Sequence, residues 1–162
     1  MGARSTRAGI KGLTAVLYIL DTDLVIFMLR GLKAPARQRA RRDRALALVG
    51  RCRQAQAQGD VIALSAVTVS ELEFGAYHSG NYDTEIIAVR KILTPFEVLD
   101  YDGSICPAHY GRIRHELEQA GQTIGAMDLL IAAHAVALAA TLVSNNLAHF
   151  QRISGLSVMR WH

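Results

Sequence analysis

Short apolar runs recur through the sequence at 15–20 (AVLYIL), 61–64 (VIAL), 96–99 (FEVL) and 141–143 (TLV), with a fifth candidate at 157–160 (SVMR). Stretches of helical character separate the first four. An apolar run of four to six residues, bounded by polar or turn residues, reads as a strand buried on both faces. Strands that alternate with helices imply a parallel sheet with a helical layer on each side. The fold class expected is therefore α/β, a three-layer α/β/α sandwich on a mostly parallel central sheet.

The punctuation between these runs places the helices. Residues 24–29 read as a short first helix closed by Gly31. Pro35 suits the first turn of a second helix that runs to about Gln58. Leu46, Val49 and Cys52 share one face of it, and Gly59 closes it. Further helices are expected over 68–77 and over 82–93, the latter bounded by Pro95. Ser104 reads as the N-cap of a helix that reaches Gln119 and stops at Gly121, with Pro107 in its first turn. Residues 127–140 are apolar nearly all round, the mark of a buried helix.

With 162 residues, of which 51% are hydrophobic and 20% charged, the chain reads as one globular domain and not as a disordered one. Residues 1–15 hold three glycines and three basic residues and are expected to form a flexible extension, with the domain spanning 16–162. Arg4, Arg7 and Lys11 before the apolar stretch 13–20 imitate a signal peptide, but Asp21 and Asp23 interrupt it and no A-x-A site follows it directly. The apolar stretch 129–143 contains His134 and is shorter than the ~20 residues a membrane span needs. Cys52 and Cys106 make neither a C-x-x-C metal pair nor a disulfide framework. A cytoplasmic protein with no membrane partner is expected.

Charge is divided unevenly along the chain. Residues 1–60 carry 12 Lys+Arg against 4 Asp+Glu, whereas residues 61–162 carry 6 against 10. A basic segment beside one with surplus carboxylates suggests a polyanionic partner. Within it, Arg37, Arg41 and Arg44 recur at i, i+4 and i+7. That stripe suits a phosphate backbone, an acidic docking partner or simply a solvated helix face.

In an open parallel sheet, ligands bind beyond the carboxyl ends of the strands. Asp21 and Asp23 follow the first strand, and Ser144, Asn145 and Asn146 follow the fourth. Glu71 lies in the helix after the second strand, and Asp128 opens the buried helix before the fourth. Carboxylates forced together repel unless a cation neutralises them. Three of them without cysteine suit Mg²⁺ or Mn²⁺ rather than zinc. Each also has an ordinary role open to it. Asp21 or Asp23 can cap the first helix, Thr68-Val-Ser-Glu71 has the form of a capping box, and Asp128 suits a helix dipole. No H-E-x-x-H, P-loop or G-x-S-x-G motif occurs.

Four fragments in order carry a resemblance: LDTDLVIF from Leu20, SELEFG from Ser70, IGAMDLLIAAHA from Ile124 and LVSNN from Leu142, closed by Gly155-Leu156 and Trp161. Over roughly 16–161 the chain resembles the VapC toxins of bacterial toxin–antitoxin modules, which are PIN-domain ribonucleases. The resemblance implies Mg²⁺-dependent endoribonuclease activity, with Mn²⁺ a possible substitute, against a structured RNA such as tRNA or rRNA. It also implies a VapB-type antitoxin that blocks the site, and a homodimer within a larger toxin–antitoxin complex. Carried over by position, the catalytic residues are Asp21, Glu71, Asp128 and Asn146, with Asp21 and Asp128 as metal ligands. Arg37, Arg41 and Arg44 are then candidates for RNA or antitoxin binding. The family often carries one more acid near the end of this last fragment, where the present chain has Asn146 and His149.

Two other readings compete. DTDLV from Asp21 also matches the nucleophile motif of HAD-like phosphatases, with Asp21 as nucleophile. That chemistry needs a later lysine and a second acidic motif, and residues 92–162 contain no lysine. The other is a catalytically silent PIN-like module that binds RNA or a protein partner.

Overall fold

A computed structural model describes residues 14–161. The expected extension, 1–15, falls almost wholly outside the described residues. The elements run β1 (Leu17–Leu20), α1 (Thr22–Leu32), α2 (Arg39–Ala57), β2 (Val61–Ser65), α3 (Ala66–His78), α4 (Tyr82–Leu93), β3 (Glu97–Leu99), α5 (Cys106–Gln119), α6 (Ala126–Ala137), β4 (Thr141–Val143), α7 (Leu147–Phe150) and β5 (Ser157–Met159). Every strand pair is parallel, and the order across the sheet is β3-β2-β1-β4-β5. The α/β sandwich read from the sequence is what is found.

That order has a consequence for chemistry. The chain steps from β1 to β2 to β3 in one direction, and β4 and β5 then extend the sheet on the other side of β1. Right-handed crossovers place the helices of the two directions on opposite faces. Side chains alternate across the strands accordingly. Leu20, Ile62, Leu64 and Val143 enter a core with α1, α2, α3 and α4. Ile19 and Leu142 enter a second core with α5, α6 and Phe150. β1 and β4 are neighbours at the point where the winding reverses, so the loops leaving their carboxyl ends part to opposite faces and open a crevice.

Several helix boundaries differ from the expected ones, each for a local reason. α1 starts earlier and runs through Gly31 instead of ending there. A Cβ on Gly31 would collide with the Ala45 side chain and stand 3.2 Å from the Arg41 carbonyl. Gly31 is thus a close-approach glycine between α1 and α2. Pro35 caps a single 3-10 turn, Ala36–Gln38, and α2 begins only at Arg39. α3 begins at Ala66 under Ser65, whose Oγ accepts from the Val67 N–H at 3.1 Å. Thr68-Val-Ser-Glu71 is therefore inside the helix and is not a capping box. Ser104 does not cap α5. Its N–H and hydroxyl both donate to Asp102 Oδ1, at 2.7 and 2.6 Å, and form a turn before the helix. α6 ends at Ala137, and Ala139 turns the chain with φ 51°.

Cys52 and Cys106 are free, buried thiols on helices of opposite faces. Among the described residues no helix is long and apolar enough to cross a membrane. Gly31→Ala should lower the urea midpoint with little change in slope, a loss of about 1–3 kcal/mol from overpacking despite alanine's better helix propensity. A midpoint at or above the wild type's would show that α1 and α2 separate freely.

Candidate active site

All of the fully buried polar side chains among the described residues lie at the carboxyl edge of the sheet or directly against it: Asp21, Thr22, Ser65, Thr68, His134 and Ser144. Polar groups are buried only where partners await them, and here the partners are one another. The Asp21 N–H donates to the Val143 carbonyl at 2.9 Å, extending the β1–β4 ladder by one residue. The same step brings Ser144 alongside, and its hydroxyl donates to Asp21 Oδ2 at 2.7 Å. Asp21 occupies the N-cap position of α1 but makes no side-chain cap. Its carboxylate faces the crevice instead.

Glu71 arrives from α3. The Thr22 hydroxyl stands 2.5 Å from Glu71 Oε2 and 3.0 Å from Thr68 Oγ1. A hydroxyl has one proton and a carboxylate has none to give, so Thr22 donates to Glu71 and Thr68 donates to Thr22. This short relay fixes Glu71 beside the residue that follows Asp21. Asp128 sits in the first turn of α6. Its Oδ2 is 3.7 Å from His149 Nδ1, and that ring nitrogen is 2.7 Å from the Asn146 side-chain amide. The Asn146 N–H in turn donates to Ser144 Oγ at 2.9 Å. The edge is thus one continuous polar network running from Asp128 through His149, Asn146 and Ser144 to Asp21.

The acids feel one another. Burial raises the Asp21 pKa from 3.8 to about 6; the Ser144 hydrogen bond opposes this, and the charges of Asp128 and Asp23 add to it. Glu71 is raised by burial, lowered by its bond from Thr22 and raised again by Asp128 and Asp23. Asp128 is raised by burial and by Asp23, while His149 pulls it down. The structure therefore brings together Asp21, Glu71 and Asp128, with Asn146 alongside.

Two participants follow strands in the sequence but were given no catalytic role there. Asp23 is exposed, and its charge reaches all three acids; its place two residues after Asp21 was the available signal. Ser144 was visible as a post-strand polar residue, but its bond to Asp21 spans 123 positions.

The arginines are not brought in. Arg37 lies in the 3-10 turn, while Arg41 and Arg44 lie in α2, so they do not share one continuous helix face as the spacing suggested. Among the described residues none of the three bonds or pairs with the acids. Arg30 and Lys33 instead line a groove of about 120 Å³ between α1, α3 and α4, with Glu71 at one side. Lys33 is held there by Glu85 at 2.5 Å.

Oxygen donors without sulfur, mutually repelling and partly desolvated, have the chemistry of a Mg²⁺ or Mn²⁺ site. Among the described residues no three acid, histidine or cysteine side chains are close enough to hold one ion together. Mg²⁺ does not require that, because it keeps several waters and binds through one or two carboxylates and substrate phosphate. The residues present fit such an ion.

The raised pKa of Asp21 fixes the sign of a pH effect. Between about pH 4 and 6 the unfolded carboxyl loses its proton first, so the native state holds more protons and its stability falls as pH rises. Asp21→Asn should stabilise the metal-free protein near neutral pH by on the order of 2 kcal/mol, with the gain vanishing below about pH 4. Urea unfolding of both proteins across this range checks it; a constant gap would refute the burial of a charged Asp21.

The family model for the PIN domain matches residues 18–156. A relative from Haemophilus influenzae, Ribonuclease VapC2, is 33% identical over 144 residues, which are 89% of this chain and 97% of the relative. The tRNA(fMet)-specific endonuclease VapC of Shigella flexneri is 31% identical, with the same coverage of each chain. The solved structure of VapBC2 from Rickettsia felis, bound to a DNA fragment from its promoter, superimposes with a TM-score of 0.73 at 33% identity. It covers 91% of this chain and 100% of that one. A parallel sheet whose winding reverses beside a buried aspartate, with these relatives along nearly its whole length, identifies the chain as a member of the PIN-domain family, among the VapC ribonucleases.

Proposed function

We propose that this protein is the divalent-metal-dependent endoribonuclease toxin of a toxin–antitoxin pair, cutting a structured RNA. The observation that carries this reading is the group of carboxylates around a buried Asp21 at the point where the sheet's winding reverses. Among the described residues no cation neutralises them fully: Ser144 and Thr22 donate hydrogen bonds, and His149 offsets Asp128 alone. Asp21 and Asp128 would hold the ion, which when bound supplies Lewis acidity for hydrolysis of a phosphodiester.

The chain's own residues do the rest. Ser144 holds one oxygen of the Asp21 carboxylate in place. Glu71, locked by Thr22, orients the attacking water and accepts its proton, and its raised pKa improves it as a base near neutral pH. Asn146 holds His149 beside Asp128. In-line attack of water on phosphorus breaks the bond to the 3′ oxygen, leaving a 5′-phosphate and a 3′-hydroxyl. Initiator tRNA is the first substrate to test, since the Shigella relative is named for it. A VapB-type antitoxin is the expected inhibitor, because solved relatives are VapBC complexes. A toxin homodimer within such a complex is part of the same reading.

Cleavage of purified tRNA and total RNA with Mg²⁺ or Mn²⁺, with mapping of the cut ends, tests the activity. Asp21→Asn, Glu71→Gln and Asp128→Asn should each lower the rate by about a hundredfold or more while the fold survives. Double variants should be little worse than single ones, because the group acts as a unit. Full activity in Asp128→Asn would sink the assignment.

The arginines supply a separate measurement. Replacing Arg37, Arg41 and Arg44 together with Gln should flatten the salt dependence of RNA affinity by about two units if all three meet phosphate. An unaltered slope with weakened inhibition by antitoxin would move them to the antitoxin interface. If neither changes, they form a solvated face.

A further inference from the structure

His134 is a fully buried histidine that the proposed reaction does not use. It sits on α6, six residues after Asp128. Its Nδ1 is 2.9 Å from the Oγ of Ser65, which is equally buried. Ser65 ends β2, caps α3 and precedes Glu71 by six residues. Six helical residues rise about 9 Å. The contact thus joins the two helices at comparable distances from the acid that each carries.

Proton accounting orders this contact. Ser65 Oγ already accepts from the Val67 N–H. Its own proton is free to donate to Nδ1, and the Asp100 backbone, which accepts from the ring, favours the ring proton on Nε2, the nitrogen that Ser65 leaves. Nε2 is buried, with the Asp100 backbone as a weak acceptor and no close hydrogen bond among the described residues. Burial pushes the pKa below its ordinary value, against smaller opposing pulls from the Asp100 backbone, which accepts from the ring, and from the Asp100 charge, so the ring is neutral and can accept. Tyr101 closes one side, its ring meeting the imidazole edge-on with centroids 5.6 Å apart. An apolar side chain of similar volume would fill this space without a donor that only the Asp100 backbone weakly satisfies, and burying a poorly paired donor is costly. The bond to Ser65 is what the imidazole provides in return.

We propose that His134 is a positioning residue: by accepting from Ser65 it holds α3 against α6, and so sets the spacing of Glu71 and Asp128 on which cation binding depends. The inference rests on the metal-dependent reading of the site. It assigns His134 no contact with RNA or with the ion.

The test uses the full chain without RNA, with Mn²⁺ binding followed by the EPR signal of the free ion. His134→Asn keeps an acceptor where Nδ1 stands, His134→Leu keeps volume without one, and Ser65→Ala removes the donor together with the cap on α3, so the two His134 variants separate the bond from the cap. His134→Leu and Ser65→Ala should each weaken Mn²⁺ binding about tenfold or more, as loss of outer hydrogen bonds to a metal site does. His134→Asn should stay within about threefold of the wild type. On RNA, the Leu and Ala variants should lose kcat at saturating substrate with little change in KM. A purely structural role would lower the melting temperature and leave Mn²⁺ affinity alone. Wild-type affinity in folded His134→Leu or in Ser65→Ala overturns the proposal, as does an Asn variant no better than Leu. Asp21→Asn is the control for the site itself. If the wild type binds no Mn²⁺, or Asp21→Asn binds it equally well, the reading of the site falls and takes this inference with it.

Discussion

The carboxylate of Asp21 is the constraint around which the edge of this sheet is organised. It is 2% exposed, burial lifts its pKa to about 6, and the side-chain hydrogen bond described to it comes from Ser144. A carboxylate placed so deeply costs stability unless something compensates it. The fold tolerates that cost because the strand ladder dictates where Asp21 goes. Its own N–H continues the pairing of β1 with β4 and fixes where its Cα stands.

Two apolar cores make that ladder rigid. One packs α1 to α4 against one face of the sheet, and the other packs α5, α6 and Phe150 against the opposite face. β1 is the central strand and contributes to both, with Leu20 on one side and Ile19 on the other. The site is thus built at the place where the sheet is held most tightly, while the acids on helices, Glu71 and Asp128, come from different cores. Any bond between those helices across the polar edge has a leverage that a surface bond lacks.

Much of this was legible because the relevant signals are local. Residues 82–93 declare α4 through period and the following proline, and Gly59 and Gly121 close α2 and α5 with φ of 93° and 65°. The errors were local competitions with more than one outcome. Thr68-Val-Ser-Glu71 has the form of a capping box, but Ser65 is also a cap former three residues earlier and sits at a strand end. Gly31 has the look of a helix stop, yet what it answers is a helix crossing it from 14 residues further along, a contact no local pattern encodes. Arg37, Arg41 and Arg44 have the right spacing for one face, but Pro35 supports a 3-10 turn before α2 starts and breaks the register.

The sequence by itself determined the type and order of the elements apart from the 3-10 turn and α7, the placement of acids beyond strand ends, and the family motifs, since periodicity, turn chemistry and short motifs act over a few residues. Only the tertiary structure decided what those acids do to each other. The bonds from Thr22 to Glu71, between His134 and Ser65, and from Ser144 to Asp21 join positions 49, 69 and 123 apart. Which polar groups meet over such separations depends on strand order, on the side of the sheet each crossover takes and on the register of β1 with β4. Those are properties of the packed chain, and so is the low-dielectric setting that lifts Asp21 away from an ordinary surface carboxylate.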